Sequence, residues 1–362
     1  MQRTRVPGPA AADGPHGGPG VSLATIAVRP RIVLLVALVG GAALSAACAP
    51  SSASGAASGV DLDRFRTPPG APIRAETTFT GMRGRYAAYR VRLAGDGGLA
   101  ATGRLLRPHR GADAGTGARR HPAVLLNDGR ELDSRAVDYL PPEFGDVVVL
   151  SLDYPAELPY DIDLVGVLLH GDRLRAAAER VPALFSLGGA YLAGRADVDP
   201  SRLAIAATSF AVPFAVAAAA ADARFRNVAL IYGAGDLDGV LAANLGLRPR
   251  VLRRAAAWLA TRPFRALEPE RHVARIAPRP LVMVNGIDDP QMPRAAVEAL
   301  YAAAREPKAL VWLRTGHLMP TDSALVRALV DTALARLPVL RGAAPAGPAA
   351  AGRVAPVRSA SP

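Results

Sequence analysis

Ser209 stands where an apolar, strand-forming segment passes directly into a helix-forming one. Ala207 and Ala211 flank it at positions −2 and +2, and small neighbours leave room for a sharp strand-to-helix turn that exposes the hydroxyl. The free N–H groups of the helix N-terminus would then lie beneath an anion at that oxygen. The segment favours a nucleophile; a serine that only caps the following helix is the alternative.

Two later segments supply a carboxylate and an imidazole. An apolar run at 280–284 opens into a turn that holds Asp288 and Asp289, and another at 309–313 ends before Gly316-His317. Serine, aspartate and histidine each follow an expected strand, and the carboxyl ends of parallel strands share the sheet edge where ligands bind. An imidazole would take the serine proton, and a carboxylate would orient the imidazole.

The elements that must position these groups alternate along the chain. Edge strands are expected at 77–93 and 99–106, with a turn at 95–98, and buried strands at 123–126, 147–152, 202–206, 227–232, 280–284 and 309–313. Helices are expected at 174–192, broken or kinked at Pro182, and at 211–221, 294–304 and 321–337. This alternation predicts an α/β fold with a mostly parallel sheet covered by helices on both faces.

The flanks have a different composition from this central region. Residues 1–47 are expected to be a signal peptide, because basic residues precede an uncharged apolar stretch, 32–47, that is short for a membrane span. Residues 48–75 favour a flexible tether and residues 339–362 a disordered tail, which leaves 76–338 as the folded domain. Helical segments within 239–275 interrupt the strand–helix alternation, and we expect them to form a cap.

The residues 44–48, Leu-Ser-Ala-Ala-Cys, resemble the lipobox of bacterial lipoproteins. The resemblance implies that Cys48 is lipidated and anchors an exported protein to a membrane of the cell envelope. An ordinary signal peptide cleaved nearby, with Cys48 incidental, is the alternative.

Composition excludes several classes of protein. Cys48 is the only cysteine among 362 residues, which excludes a disulfide framework and a cysteine-based zinc site. The net charge is +12, but +3 lies in residues 1–47 and +3 in 341–362, and no basic–aromatic series suits base stacking. No metal-binding spacing of histidines is present. We therefore expect no nucleic-acid partner and no metal.

Residues 76–337 resemble an α/β hydrolase, in particular the dienelactone hydrolase and acetyl xylan esterase branch. The resemblance implies about eight strands, with Ser209 as nucleophile and His317 as base. It favours Asp289 over Asp288 as the acid, because Gly286-x-x-Asp289-x-x-Met292-Pro293 fits the branch's G-x-x-D-x-x-V-P turn.

The resemblance also implies an oxyanion hole that combines the N–H of Phe210 with one from the loop after the third strand of the fold. That loop is usually His-Gly-Gly and is here Asn-Asp-Gly-Arg at 127–130, so Gly129 is the best match and Arg130 the alternative. Asp128 would disfavour an oxyanion unless it points away or is paired. His170-Gly171 imitates the missing motif but lies too near Ser209 in sequence, and we assign His170 a structural role leading a helix. The other histidines are expected at the surface.

The resemblance thus implies a cofactor-free serine hydrolase that cleaves a small-molecule or polymer ester through an acyl-enzyme. Two alternatives stay open: a catalytically silent binding protein, suggested by the alanine-flanked serine and the unusual loop, and an acyltransferase or thioesterase. The basic segment 248–254 with Trp258 suits anionic lipid or an acidic polymer, or is a solvated helix face.

Overall fold

The computed structural model describes residues 61–109, 120–141, 145–158, 164–318 and 322–337. The signal peptide, Cys48, residues 48–60 of the tether and the tail lie outside the described residues.

Strands of the described residues form one nine-stranded sheet in the order β1-β2-β3-β5-β4-β6-β7-β8-β9. Their bounds are β1 Arg74–Arg83, β2 Tyr86–Ala94, β3 Ala100–Pro108, β4 His121–Asn127, β5 Val148–Leu152, β6 Val198–Thr208, β7 Asn227–Ile231, β8 Leu281–Gly286 and β9 Lys308–Leu313. Strands β4 to β9 are joined by parallel pairing, whereas β1, β2 and β3 are antiparallel and β3 pairs antiparallel with β5. The prediction of a mostly parallel sheet is confirmed, with nine strands rather than about eight.

Helices cover both faces of this sheet. Their bounds are α1 Leu164–Gly194, α2 Val212–Ala221, α3 Leu237–Asn244, α4 Arg250–Thr261, α5 Arg294–Ala303 and α6 Ser323–Arg336. Alternate residues of one strand enter different apolar clusters: Leu230 packs with α1, α2 and α5, whereas Ala229 packs with α6 and a short helix at Asp133–Tyr139. Burial on both faces explains why the central strands are almost continuously apolar.

The structure corrects two of the predicted elements. The segment 77–93 forms two strands rather than one, because Gly84 takes a φ of 53° and allows a two-residue turn between β1 and β2. Helix α1 begins earlier than predicted and continues through Pro182, so the expected break there is wrong. Buried neighbours such as Phe185 hold the helix against the sheet, which outweighs the helix-breaking tendency of proline. The irregular residue of α1 is His170, with φ −128° and ψ 17°, within the helix rather than leading it.

The region of the expected insertion contains α3, α4 and three short helices at Arg262–Leu267, Pro269–Arg271 and Val273–Ile276. Together we call residues 237–276 the cap. The cap packs on the amino-terminal half of α1, where Leu241 and Phe264 join a small apolar cluster with Val167 and Leu174.

Close packing of α1 gives a test of the fold. A Cβ at Gly189 would lie 2.7 Å from the ring of Phe225, whereas one at Gly194 would meet nothing within 4 Å. We expect Gly189→Ala to lower the free energy of unfolding by about 1–3 kcal/mol, although alanine is the better helix former. The control Gly194→Ala should be neutral or stabilising in the same denaturant titration; equal effects of the two variants would contradict this packing.

Candidate active site

Ser209 follows β6 directly and has a φ of 50°, in the left-handed region. Such a backbone costs on the order of 1 kcal/mol or more for a residue with a side chain. Ala207 and Ala211 have ordinary negative φ values and are almost wholly buried. The strain therefore falls on the serine alone, and the flanking alanines fit the turn without the penalty that a positive φ would impose.

Asp289 and His317 are in contact. His317 Nδ1 lies 2.7 Å from Asp289 Oδ2, and the side chains are 13% and 1% exposed, respectively. Asp289 Oδ1 accepts hydrogen bonds from the backbone N–H groups of Gln291 at 2.8 Å and Met292 at 3.2 Å. These bonds fix the carboxylate, which in turn orients the imidazole. Asp288, the alternative acid, is exposed.

Gly286 allows the loops that carry these two residues to approach each other. Strands β8 and β9 are paired through Gly286 and Leu313, and a Cβ at Gly286 would lie 2.5 Å from the carbonyl oxygen of Thr315. Any other residue would push the two backbones apart. The predicted turn motif therefore requires glycine at position 286, because no larger residue fits there.

Tyr232 is a site residue that the sequence reasoning missed. It follows β7 with a φ of 51°, is wholly buried, and packs its ring edge-to-face against the imidazole of His317 at a centroid distance of 5.1 Å. Its hydroxyl pairs with Thr315 Oγ1 at 2.8 Å. Its position directly after an expected strand was the signal available in the sequence.

The structure places Ser209 at the same sheet edge as this pair, because β6, β7, β8 and β9 run parallel as neighbours. Asp128 follows β4, which lies on the other side of β6 from β7.

In the loop after β4, the N–H predicted to be the second oxyanion donor already makes a hydrogen bond. The N–H of Gly129 donates to Asp128 Oδ1 at 2.7 Å. The side chain of Arg130, the residue of the alternative backbone donor, anchors the loop, because its Nε donates to the carbonyl of Leu158 at 2.7 Å and its terminal nitrogen pairs with Asp133. Asp128 therefore neither points away from the loop nor pairs with a cation; it covers the backbone donor.

Tyr154 joins this loop to the serine turn. Its hydroxyl donates to the carbonyl of Asp128 at 2.6 Å, and its ring lies edge-to-face on Phe210 at 5.5 Å. Phe210 in turn packs on Phe214 of α2 at 5.3 Å. The two segments predicted to supply oxyanion donors are thus held at a fixed separation by aromatic packing.

The remaining predicted features are placed as follows. Exposed His170 lies in α1 beside Pro263 of the cap. His272 is buried with Nε2 2.7 Å from the carbonyl of Ala266, so its expected place at the surface is wrong.

Within the described ranges, no cluster of three or more His, Cys, Asp or Glu side chains could hold a metal ion, and no helix is long and apolar enough to cross a bilayer.

Comparison with solved structures identifies the fold. The chain is similar to an acetyl xylan esterase from Paenibacillus sp. R4, with 16% identity and a TM-score of 0.53 over 75% of this chain and 90% of that one. A puromycin hydrolase matches with 16% identity and a TM-score of 0.53, over 76% of this chain and 46% of that one. The chain has the α/β-hydrolase fold. No protein-family model and no curated protein matches the sequence, and a fold by itself does not give a reaction.

The carboxyl of Asp128 makes the stability of the folded state depend on pH. Burial, together with the charge of Glu131, raises the pKa of this carboxyl to about 6, against lowering contributions from the Gly129 N–H and His317. A raised carboxyl pKa destabilises the folded state as pH rises from about 4 to 6, and the full penalty persists above that range.

We expect Asp128→Asn, which keeps an acceptor for Gly129, to raise the free energy of unfolding by about 1–3 kcal/mol at pH 8. The gain should fall below about 1 kcal/mol at pH 4, where the wild-type carboxyl is protonated in the folded state and only about half ionised in the unfolded state. Denaturant titration at the two pH values measures the difference. An equal gain at both, or a loss at pH 8, would contradict the assignment.

Proposed function

We propose that the protein is a serine hydrolase that cleaves a carboxylic ester through an acyl-enzyme, with Ser209, His317 and Asp289 as its triad. The observation that carries the proposal is the 2.7 Å contact between His317 Nδ1 and the buried Asp289 carboxylate, at the sheet edge where Ser209 occupies its strained turn. A carboxylate on Nδ1 fixes the tautomer and leaves Nε2 to exchange protons with a serine hydroxyl.

In the proposed reaction, Ser209 Oγ transfers its proton to His317 Nε2 and attacks the ester carbonyl. The oxygen of the tetrahedral intermediate accepts hydrogen bonds from the N–H groups of Phe210 and Gly129, and the N-terminus of α2 adds a favourable dipole. The intermediate collapses to the acyl-enzyme as His317 returns the proton to the leaving alcohol. Water, deprotonated by His317, then releases the acid and restores the serine.

Gly129 can serve as a donor only when the Asp128 carboxylate leaves its N–H, because the two now form a 2.7 Å hydrogen bond. This contact favours a second candidate function, a hydrolase-like protein that binds a ligand without cleaving it.

Labelling by a fluorophosphonate separates the two candidates. We expect one equivalent of label on Ser209 and none on Ser209→Ala, because only an activated hydroxyl attacks the phosphorus.

With p-nitrophenyl acetate, Asp289→Asn should lower kcat by roughly 10³–10⁴-fold. The matched control Asp288→Asn changes the adjacent, exposed aspartate and should stay within about twofold of wild type. A folded wild-type chain that neither takes the label nor cleaves the ester would leave the binding protein as the better candidate.

We also propose that the protein is exported and anchored in the bacterial cell envelope by lipid on Cys48, as the lipobox-like residues 44–48 suggest. Several acyl chains would bind firmly, since each buried methylene contributes about 0.8 kcal/mol. We expect cells that express the full chain to incorporate labelled fatty acid into it, and Cys48→Ser to abolish the incorporation. Unchanged labelling of the variant would contradict lipidation at this residue.

A further inference from the structure

The outer face of the cap is strongly basic. Residues 239–267 of the cap contain no aspartate or glutamate; Asp238 and Glu268 border this range, and Asp238 lies 4.0 Å from Arg265. Their six arginines are Arg248, Arg250, Arg253, Arg254, Arg262 and Arg265. A cluster of this size suits a partner with a dense array of negative charges.

Helix α4 combines this charge with exposed apolar side chains. Its inner face is made of small buried residues, Ala256, Ala257, Ala260 and Thr261. On its outer side Val251 is 70% exposed and Trp258 is 43% exposed, and the exposed Arg254 lies between them in sequence. Large apolar groups surrounded by arginines are typical of helices that lie in a membrane interface.

Trp258 is also directly associated with cations. The guanidinium of Arg262 lies 4.8 Å and that of Arg265 5.7 Å from the centroid of its ring. An indole with flanking cations matches the level of the lipid headgroups, where tryptophan is enriched and phosphates are available.

A recess adjoins this face. It has a volume of about 650 Å³ and is lined by Arg173 and Arg175 of α1 together with Arg262. The acidic residue in its wall, Asp172, already pairs with Arg175 at 3.3 Å. Leu169, 71% exposed, adds an apolar group to the wall. The recess suits a phosphate group attached to an apolar chain.

We propose that the outer face of the cap docks on an anionic phospholipid bilayer, with Trp258 and Val251 in the interface, the arginines on lipid phosphates and one headgroup in the recess. Charge complementarity identifies an anionic partner, and the exposed Val251, Trp258 and Leu169 favour a bilayer over a soluble acidic polymer. The proposal does not depend on the proposed catalysis, and Ser209→Ala should bind vesicles as the wild type does.

The chain has two tryptophans, Trp258 and Trp312, which allows a local test in the full-length protein. In Trp312→Phe, fluorescence reports on Trp258 alone. We expect vesicles of 30% phosphatidylglycerol in brominated phosphatidylcholine to quench it, and vesicles of brominated phosphatidylcholine alone not to. In the matched control Trp258→Phe, the remaining Trp312, in β9 beneath Arg294, should not be quenched.

Arginine substitutions in the Trp312→Phe background test the charge contribution. Arg254→Ala and Arg262→Ala should each weaken vesicle binding about fivefold, whereas Arg92→Ala, an exposed arginine of β2, should change it less than twofold.

Three results would overturn the proposal. The first is vesicle sedimentation without quenching of Trp258, which would show that the chain binds lipid through another part. The second is equal quenching by neutral vesicles. The third is a shift of Trp258 fluorescence with soluble polyglutamate but no bromine quenching, which would assign the face to an acidic polymer.

Discussion

The parallel alignment of β6, β7, β8 and β9 is the constraint on which the site depends, because it brings the residues that follow these strands to one edge of the sheet. The residues Ser209, Tyr232, Asp289 and His317 are spread over more than a hundred positions of the chain. Burial of the strands on both faces fixes their register, so the positions of these side chains are inherited from the hydrophobic core rather than set by contacts of the site itself.

Backbone strain is concentrated at the same edge. Ser209 and Tyr232 follow adjacent strands, and both have left-handed backbones with φ near 50°. The surrounding packing supports this strain: buried alanines flank the serine, and the tyrosine ring is enclosed and packed against His317. Strained residues held by rigid surroundings are frequent where a side chain must be presented in one orientation.

Electrostatics distinguish the loop after β4 from the rest of the edge. Asp289 is a buried carboxylate that is stabilised by two backbone N–H groups and by His317. Asp128 is a partly buried carboxylate, and burial together with the charge of Glu131 raises its pKa to about 6. The carboxylate of Asp289 thus has two backbone donors and an imidazole around it, whereas burial of Asp128, with one backbone donor, disfavours the charged form of its carboxyl.

The sequence by itself determined the fold class, most strand positions and the order of the serine, aspartate and histidine, because buried parallel strands leave continuous apolar runs and their ends carry the polar residues. The resemblance of the turn at 286–293 to that of the dienelactone hydrolase and acetyl xylan esterase branch also favoured Asp289 over Asp288. Only the tertiary structure decided that α1 continues through Pro182, that Tyr232 packs on His317 and that Asp128 covers the Gly129 N–H. The first two depend on contacts between segments distant in sequence. The third joins adjacent residues, but the burial of their loop depends on the tertiary structure, which local pattern and propensity do not encode.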